Sequence, residues 1–101
     1  MRNIVIFGAG GTGEKYLENI LSKCEDRIIC FLDNSKAKQG TKINGIDVFA
    51  PEKICELEYS VVVVVTSPSF ENDIFLQLEK LGVDKSKILT PSLDLGGGGK
   101  F

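Results

Sequence analysis

Histidine is absent from the 101 residues, and that one gap removes much of enzyme chemistry. Without an imidazole there is no Ser-His-Asp or Cys-His nucleophile, no histidine general base and none of the usual catalytic zinc sites. Cysteine is scarce: Cys24, Cys30 and Cys55 make an odd count with no Cys-x-x-Cys spacing. A disulfide framework or a zinc knuckle is therefore not expected, and a reduced, cytoplasmic setting is. The three thiols read as small buried apolar side chains. Charge of one sign is also lacking. Twelve Lys and Arg face 14 Asp and Glu for a net charge of −2, so neither a nucleic-acid nor a membrane-surface partner is expected. The longest apolar run, Val61 to Val65, is far too short to span a bilayer. The apolar residues at the start run into glycines with no cleavage site, so no signal peptide is expected either.

What is present begins with Asn3-Ile4-Val5-Ile6-Phe7 followed by Gly8-Ala9-Gly10-Gly11-Thr12-Gly13. Gly8, Gly10 and Gly13 fit the G-x-G-x-x-G spacing, and Asp33 stands 20 residues past Gly13. The three glycines suit a tight turn, a close approach of backbone to phosphate, and tight packing of helix on strand. Such a turn holds an anion on backbone N–H groups at a helix N-terminus, without a positive side chain. Asp33, at the end of a second apolar run, is placed to accept hydrogen bonds from ribose hydroxyls, and a carboxylate there favours NAD over NADP. An Asx-turn opening the polar loop explains Asp33 as well.

Along the chain, residues 3–7 read as a strand buried on both faces, because the run does not alternate. A helix is expected from Gly11 or Thr12, with Tyr16, Leu17, Ile20, Leu21 and Cys24 inward and Glu14 in its first turn facing solvent. Arg27 to Leu32 is the second strand. Asn44-Gly45 reads as a turn between the short extended pieces of residues 43–49. Pro51 opens a short helix to Leu57. Val61 to Val65, all β-branched, is the clearest strand. Ser67-Pro68-Ser69 starts a further helix with Phe70, Ile74, Phe75, Leu78 and Leu81 as its buried stripe and Gly82 as its stop. Lys87 to Thr90 is a last short strand before Pro91.

This alternation predicts an α/β fold: a Rossmann-like three-layer sandwich around a five-stranded, mostly parallel sheet of order 3-2-1-4-5. Residues 1–91 form the nucleotide-binding domain and 92–101, with four consecutive glycines, a flexible tail. The length leaves room for one βαβαβ half and one or two further strands, with no separate substrate domain. The candidate ligand-binding set is Gly8, Ala9, Gly10, Gly11, Thr12, Gly13, Asp33, Asn34, Lys36 and Ser67. Neither tyrosine has the Tyr-x-x-x-Lys spacing of a short-chain dehydrogenase. No residue reads as a catalytic acid, base or nucleophile, and no metal site is expected. The expected activity is binding.

The segments Ile4-Val5-Ile6-Phe7-Gly8-Ala9-Gly10, Phe31-Leu32-Asp33-Asn34, Gly40 and Ile43-Asn44-Gly45-Ile46-Asp47-Val48-Phe49, then the helix from Pro51, occur in that order. Together they resemble the Rossmann-like N-terminal nucleotide-binding domain of bacterial sugar-nucleotide enzymes, over residues 3 to about 91. In one branch that domain precedes a polysaccharide-biosynthesis epimerase or dehydratase. In the other it precedes the β-helix acyltransferase that acetylates amino sugars. The resemblance implies NAD(H) or a UDP-sugar as ligand, and a downstream catalytic domain or partner chain. A CoA- or adenine-nucleotide-binding sensor, and an interaction domain that kept the fold without the ligand, are the alternatives.

Overall fold

β-Branched and aromatic side chains pack well on a pleated surface, and here they fill the middle of a mixed sheet. The computed structural model describes residues 3–9, 27–66 and 68–89. The strands there are β1 (Asn3–Phe7), β2 (Arg27–Leu32), β3 (Lys42–Ile43), β4 (Ile46–Phe49), β5 (Val61–Val64) and β6 (Ile88–Leu89). They are joined by helix α1 (Pro68–Lys80) and by 3-10 helices at Pro51–Glu56 and Lys85–Lys87. The order across the sheet is β3-β4-β2-β1-β5-β6. That is the expected 3-2-1-4-5 arrangement with one more strand, because the 43–49 segment folds back on itself. β3 and β4 pair antiparallel, Ile43 opposite Ile46. Their link is a two-residue turn with positive φ at both Asn44 (51°) and Gly45 (82°), the hairpin geometry that Asn-Gly favours. All the other pairings are parallel.

β1 and β5 run in step, with Ile4, Val5, Ile6 and Phe7 opposite Val61, Val62, Val63 and Val64. Side chains alternate between faces, so Ile4, Ile6, Val61 and Val63 share one face and Val5, Phe7, Val62 and Val64 the other. β2 departs from this alternation. Its register shifts between the partners of Ile4 and Val5, so that Ile28 pairs with Ile4 but Cys30 with Val5. The extra residue, Ile29, lies beside Cys30 on the second face, and Phe31 returns to the face of Ile28. Burial pushes the Cys30 thiol up to about 12, with Asp47 adding to the rise and Lys53 opposing it.

α1 covers the second face through Ile74 and Leu78, one helical turn apart, with Ile54 of the 3-10 helix beside them. The expected stripe holds only in part. Phe70 is 57% exposed, because the first turn of α1 does not join the cluster that Ile74 and Leu78 make with the sheet. Gly82 stops the helix with φ at 95°. Its N–H donates to the Glu79 carbonyl and the Val83 N–H to the Leu78 carbonyl, both at 3.0 Å, which satisfies two end carbonyls and tucks buried Val83 under the last turn. Cys55 is exposed, not buried as expected. With three residues per 3-10 turn, the inward positions fall at Pro51 and Ile54 and Cys55 points out, its thiol 3.5 Å from the Leu81 carbonyl. The first face is as deeply buried as the second. The helix expected over residues 11–24, with its stripe from Tyr16 to Cys24, lies outside the described residues, as does the 92–101 tail.

Candidate functional site

The chain adds β2 and β4 on one side of β1, then crosses to add β5 on the other. In open α/β sheets ligands bind beyond the carboxyl ends of the strands where the winding reverses. Here that point is the end of β1 against β5, and the structure ties the strand ends together there with backbone hydrogen bonds. Gly8 N–H donates to the Leu32 carbonyl at 2.8 Å, Val65 N–H to the Phe7 carbonyl at 2.9 Å, and Asp33 N–H to the Phe49 carbonyl at 3.1 Å.

Gly8 leaves β1 with φ at 123°, a conformation that side chains rarely adopt. A Cβ at this position would also be driven into the Val65 carbonyl oxygen. The first glycine of the motif therefore lets β1 turn against the backbone of the neighbouring strand end. Ala9, next in line, is 3% exposed.

Asp33 is the centre of the site. Its Oδ2 accepts from the Ala9 N–H at 2.8 Å, and its Oδ1 accepts from the Ser35 N–H at 2.8 Å. The second bond is the Asx-turn anticipated from sequence. The first is a long-range contact that fastens the end of β2 to the glycine turn. A carboxylate offers about four acceptor positions, so the two bonds leave room for further donors. The Asp33 carbonyl is itself held by Gln39 Nε2 at 2.9 Å. Asn34 turns its amide onto Gln77 of α1, donating at 3.0 Å and accepting at 2.8 Å. Lys36 is exposed in the turn of residues 36–40. Of the candidate set, the structure thus brings Gly8, Ala9, Asp33 and Asn34 to the same end of the sheet. Gly10, Gly11, Thr12, Gly13 and Ser67 lie outside the described residues.

Sequence reasoning missed Ser35, Gln39 and Gln77. The Asx-turn offered a local signal for Ser35. Gln77, 43 positions from Asn34, offered none, since an isolated amide on an exposed helix face has no periodicity to betray it. Two grooves of about 380 and 390 Å³ flank Leu76 of α1, and among the described residues neither is lined by Gly8, Ala9 or Asp33. Among the described residues no group of three or more His, Cys, Asp or Glu could hold a metal ion, and no helix is long and apolar enough to cross a membrane.

Comparison with solved structures supports the Rossmann-like architecture. UDP-D-quinovosamine 4-dehydrogenase from Vibrio fischeri is 26% identical with a TM-score of 0.74, over 88% of this chain and 76% of that one. RSP, a Rex-family repressor, is 15% identical with a TM-score of 0.69, over 88% of this chain and 51% of its own. RSP in complex with beta-NAD+ and operator DNA aligns at 15% identity with a TM-score of 0.64, over 88% of this chain and 49% of that one. The chain spans about half the length of the repressor. Among curated proteins none matches. The repressor overturns one expectation from sequence: the exclusion of nucleic acid as a partner does not stand, because this fold occurs in a protein solved on operator DNA. The physical reason is that phosphate contacts are made by local Lys and Arg, so a net charge of −2 decides nothing about them. A family model described as C2185-like, N-terminal matches residues 1–89, and the chain belongs to that family.

Proposed function

We propose that this chain is a nucleotide-binding module that takes NAD(H) at the carboxyl ends of β1 and β2. The observation that carries the reading is the Asp33 carboxylate, hydrogen-bonded at 2.8 Å to the first N–H after Gly8. In this arrangement the acidic residue stands beside the glycine turn, as a ribose contact beside a phosphate cradle requires. Gly8, Ala9, Gly10, Gly11, Thr12 and Gly13 form the cradle, Asp33 binds the ribose, and Asn34, Lys36 and Ser67 border it. The complexes of RSP with beta-NAD+ and with beta-NADH support NAD(H) as the ligand class. The module serves bacterial cell-surface sugar metabolism in the cytoplasm. Residues 1–91 are the binding domain, and the reaction belongs to a further domain or partner chain.

A second reading has its own support. The 26% identity to a UDP-D-quinovosamine 4-dehydrogenase favours a UDP-sugar in the same cradle, with its diphosphate on the glycine turn. CoA stands behind both. A ligand of the native state raises the unfolding free energy by about 2.7 kcal/mol at 100 times its Kd. Thermal shifts with NAD+, NADP+, CoA, UDP and UDP-GlcNAc therefore separate the readings. NAD+ is expected to raise Tm most, and the shift to be lost in Asp33→Ala. A shift with UDP-GlcNAc alone selects the second reading, NADP+ above NAD+ refutes the role of Asp33, and no shift at all refutes nucleotide binding.

A further inference from the structure

We infer that Gln77 is a positioning residue for the ligand site, acting through Asn34 on Asp33; this rests on the proposed binding role of Asp33. The two amides form a closed pair. Asn34 Nδ2 donates to Gln77 Oε1 at 3.0 Å, and Gln77 Nε2 donates to Asn34 Oδ1 at 2.8 Å. Two antiparallel bonds fix the plane of each amide as well as its distance, which one bond does not. Gln77 is a firm anchor because buried neighbours bracket it on α1: Ile74 is 8% exposed and Leu78 is fully buried.

At the other end, Asn34 lies between Asp33 and Ser35, whose N–H holds Asp33 Oδ1. The Asp33 carbonyl is held from the far side of the loop by Gln39. Residues 33–35 are thus gripped by the glycine turn through Ala9, by the loop through Gln39, and by α1 through Gln77. The first two grips hold Asp33 directly. The third restrains the segment that would otherwise pivot about them, and so sets where the remaining acceptor positions of the carboxylate point. Preorganising a binding group raises affinity by cutting the ordering cost of binding. The pair is exposed, so its effect falls on ligand affinity and local order more than on global stability.

The test uses the full chain and the variants Gln77→Ala, Asn34→Ala, their combination, and Gln77→Glu, which keeps only the acceptor. In ligand-free protein, amide exchange at Ala9 and Ser35 is expected to speed up in Gln77→Ala while exchange in β1 and β5 stays unchanged. NAD+ affinity is expected to fall about three- to tenfold, the equivalent of one net hydrogen bond. The double variant should be no weaker than the poorer single, and Gln77→Glu should lie between wild type and Gln77→Ala. Equal acceleration of exchange throughout the sheet would show a merely structural role and overturn the inference, as would unchanged exchange at Ala9 and Ser35. If wild type binds no NAD+, the proposed ligand fails, and the exchange measurements alone decide the positioning role.

Discussion

Replacing Asp33 separates its part in the fold from any part in binding, and the cost can be worked from the two hydrogen bonds. In Asp33→Ala the Ala9 N–H loses its acceptor. Ala9 is 3% exposed, so water replaces the lost bond poorly, and an orphaned buried donor costs about 1–3 kcal/mol. The Ser35 N–H is exposed and regains water, so its loss adds only about 0.5 kcal/mol. The sum is about 1.5–3.5 kcal/mol, and for a domain of this size it lowers Tm by roughly 6–28 °C. Asp33→Asn keeps one carbonyl oxygen. The side chain is expected to turn it toward buried Ala9 and to give up Ser35, for a loss of about 1 kcal/mol. Urea unfolding of ligand-free protein, followed by circular dichroism, measures both variants, and an unchanged m-value licenses the comparison. A loss below about 0.5 kcal/mol in Asp33→Ala would refute the claim that this carboxylate ties β2 to the glycine turn.

Three more outcomes follow from the packing. Gly8→Ala combines a φ of 123° with a Cβ directed into the Val65 carbonyl, so a loss of at least about 3 kcal/mol, or failure to fold, is expected; a soluble variant with wild-type Tm would show that this turn relaxes freely. Leu78→Ala, at a fully buried position of α1, should cost about 2–5 kcal/mol, whereas Leu76→Ala, 53% exposed, should stay within about 0.5 kcal/mol, both read from urea midpoints. In a Cys24→Ser background, a thiol reagent at pH 8 should label Cys55 promptly and Cys30 only on unfolding. The Cys30 thiol is buried and pushed up to about 12, so it stays almost wholly protonated even at pH 9 and its labelling in native protein should remain far slower than that of Cys55; two fast-reacting thiols in native protein would contradict the burial of β2.

The valine strand β5, the Asn-Gly turn, Pro51 and Gly82 were readable because each acts through its own backbone preference or a short apolar pattern. The bulge in β2 was not. Arg27-Ile28-Ile29-Cys30-Phe31-Leu32 is apolar without alternation, so nothing local says that Ile29 and Cys30 share a face, and only pairing with Ile4 and Val5 decides it. Phe70 misled for a similar reason. Its spacing from Ile74 and Leu78 is helical, but whether a turn reaches the core depends on where the sheet lies beneath it. Cys55 turned outward because the short helix took the 3-10 spacing, which moves the inward positions relative to an α-helix.

By itself the sequence determined the α/β class, the order of the parallel strands, and the pairing of a glycine turn with an acid 20 residues beyond it. All of these follow from hydrophobic run lengths, β-branching and glycine placement, which act locally along the chain. Tertiary structure alone decided what Gly8 and Asp33 do. Gly8 is glycine because the Val65 carbonyl occupies the space of a Cβ. Asp33 reaches back 24 residues to Ala9, while Asn34 is drawn away to Gln77 on α1. Each contact joins residues that meet only after β2 and β5 have paired with β1, so no local signal along the chain could announce it.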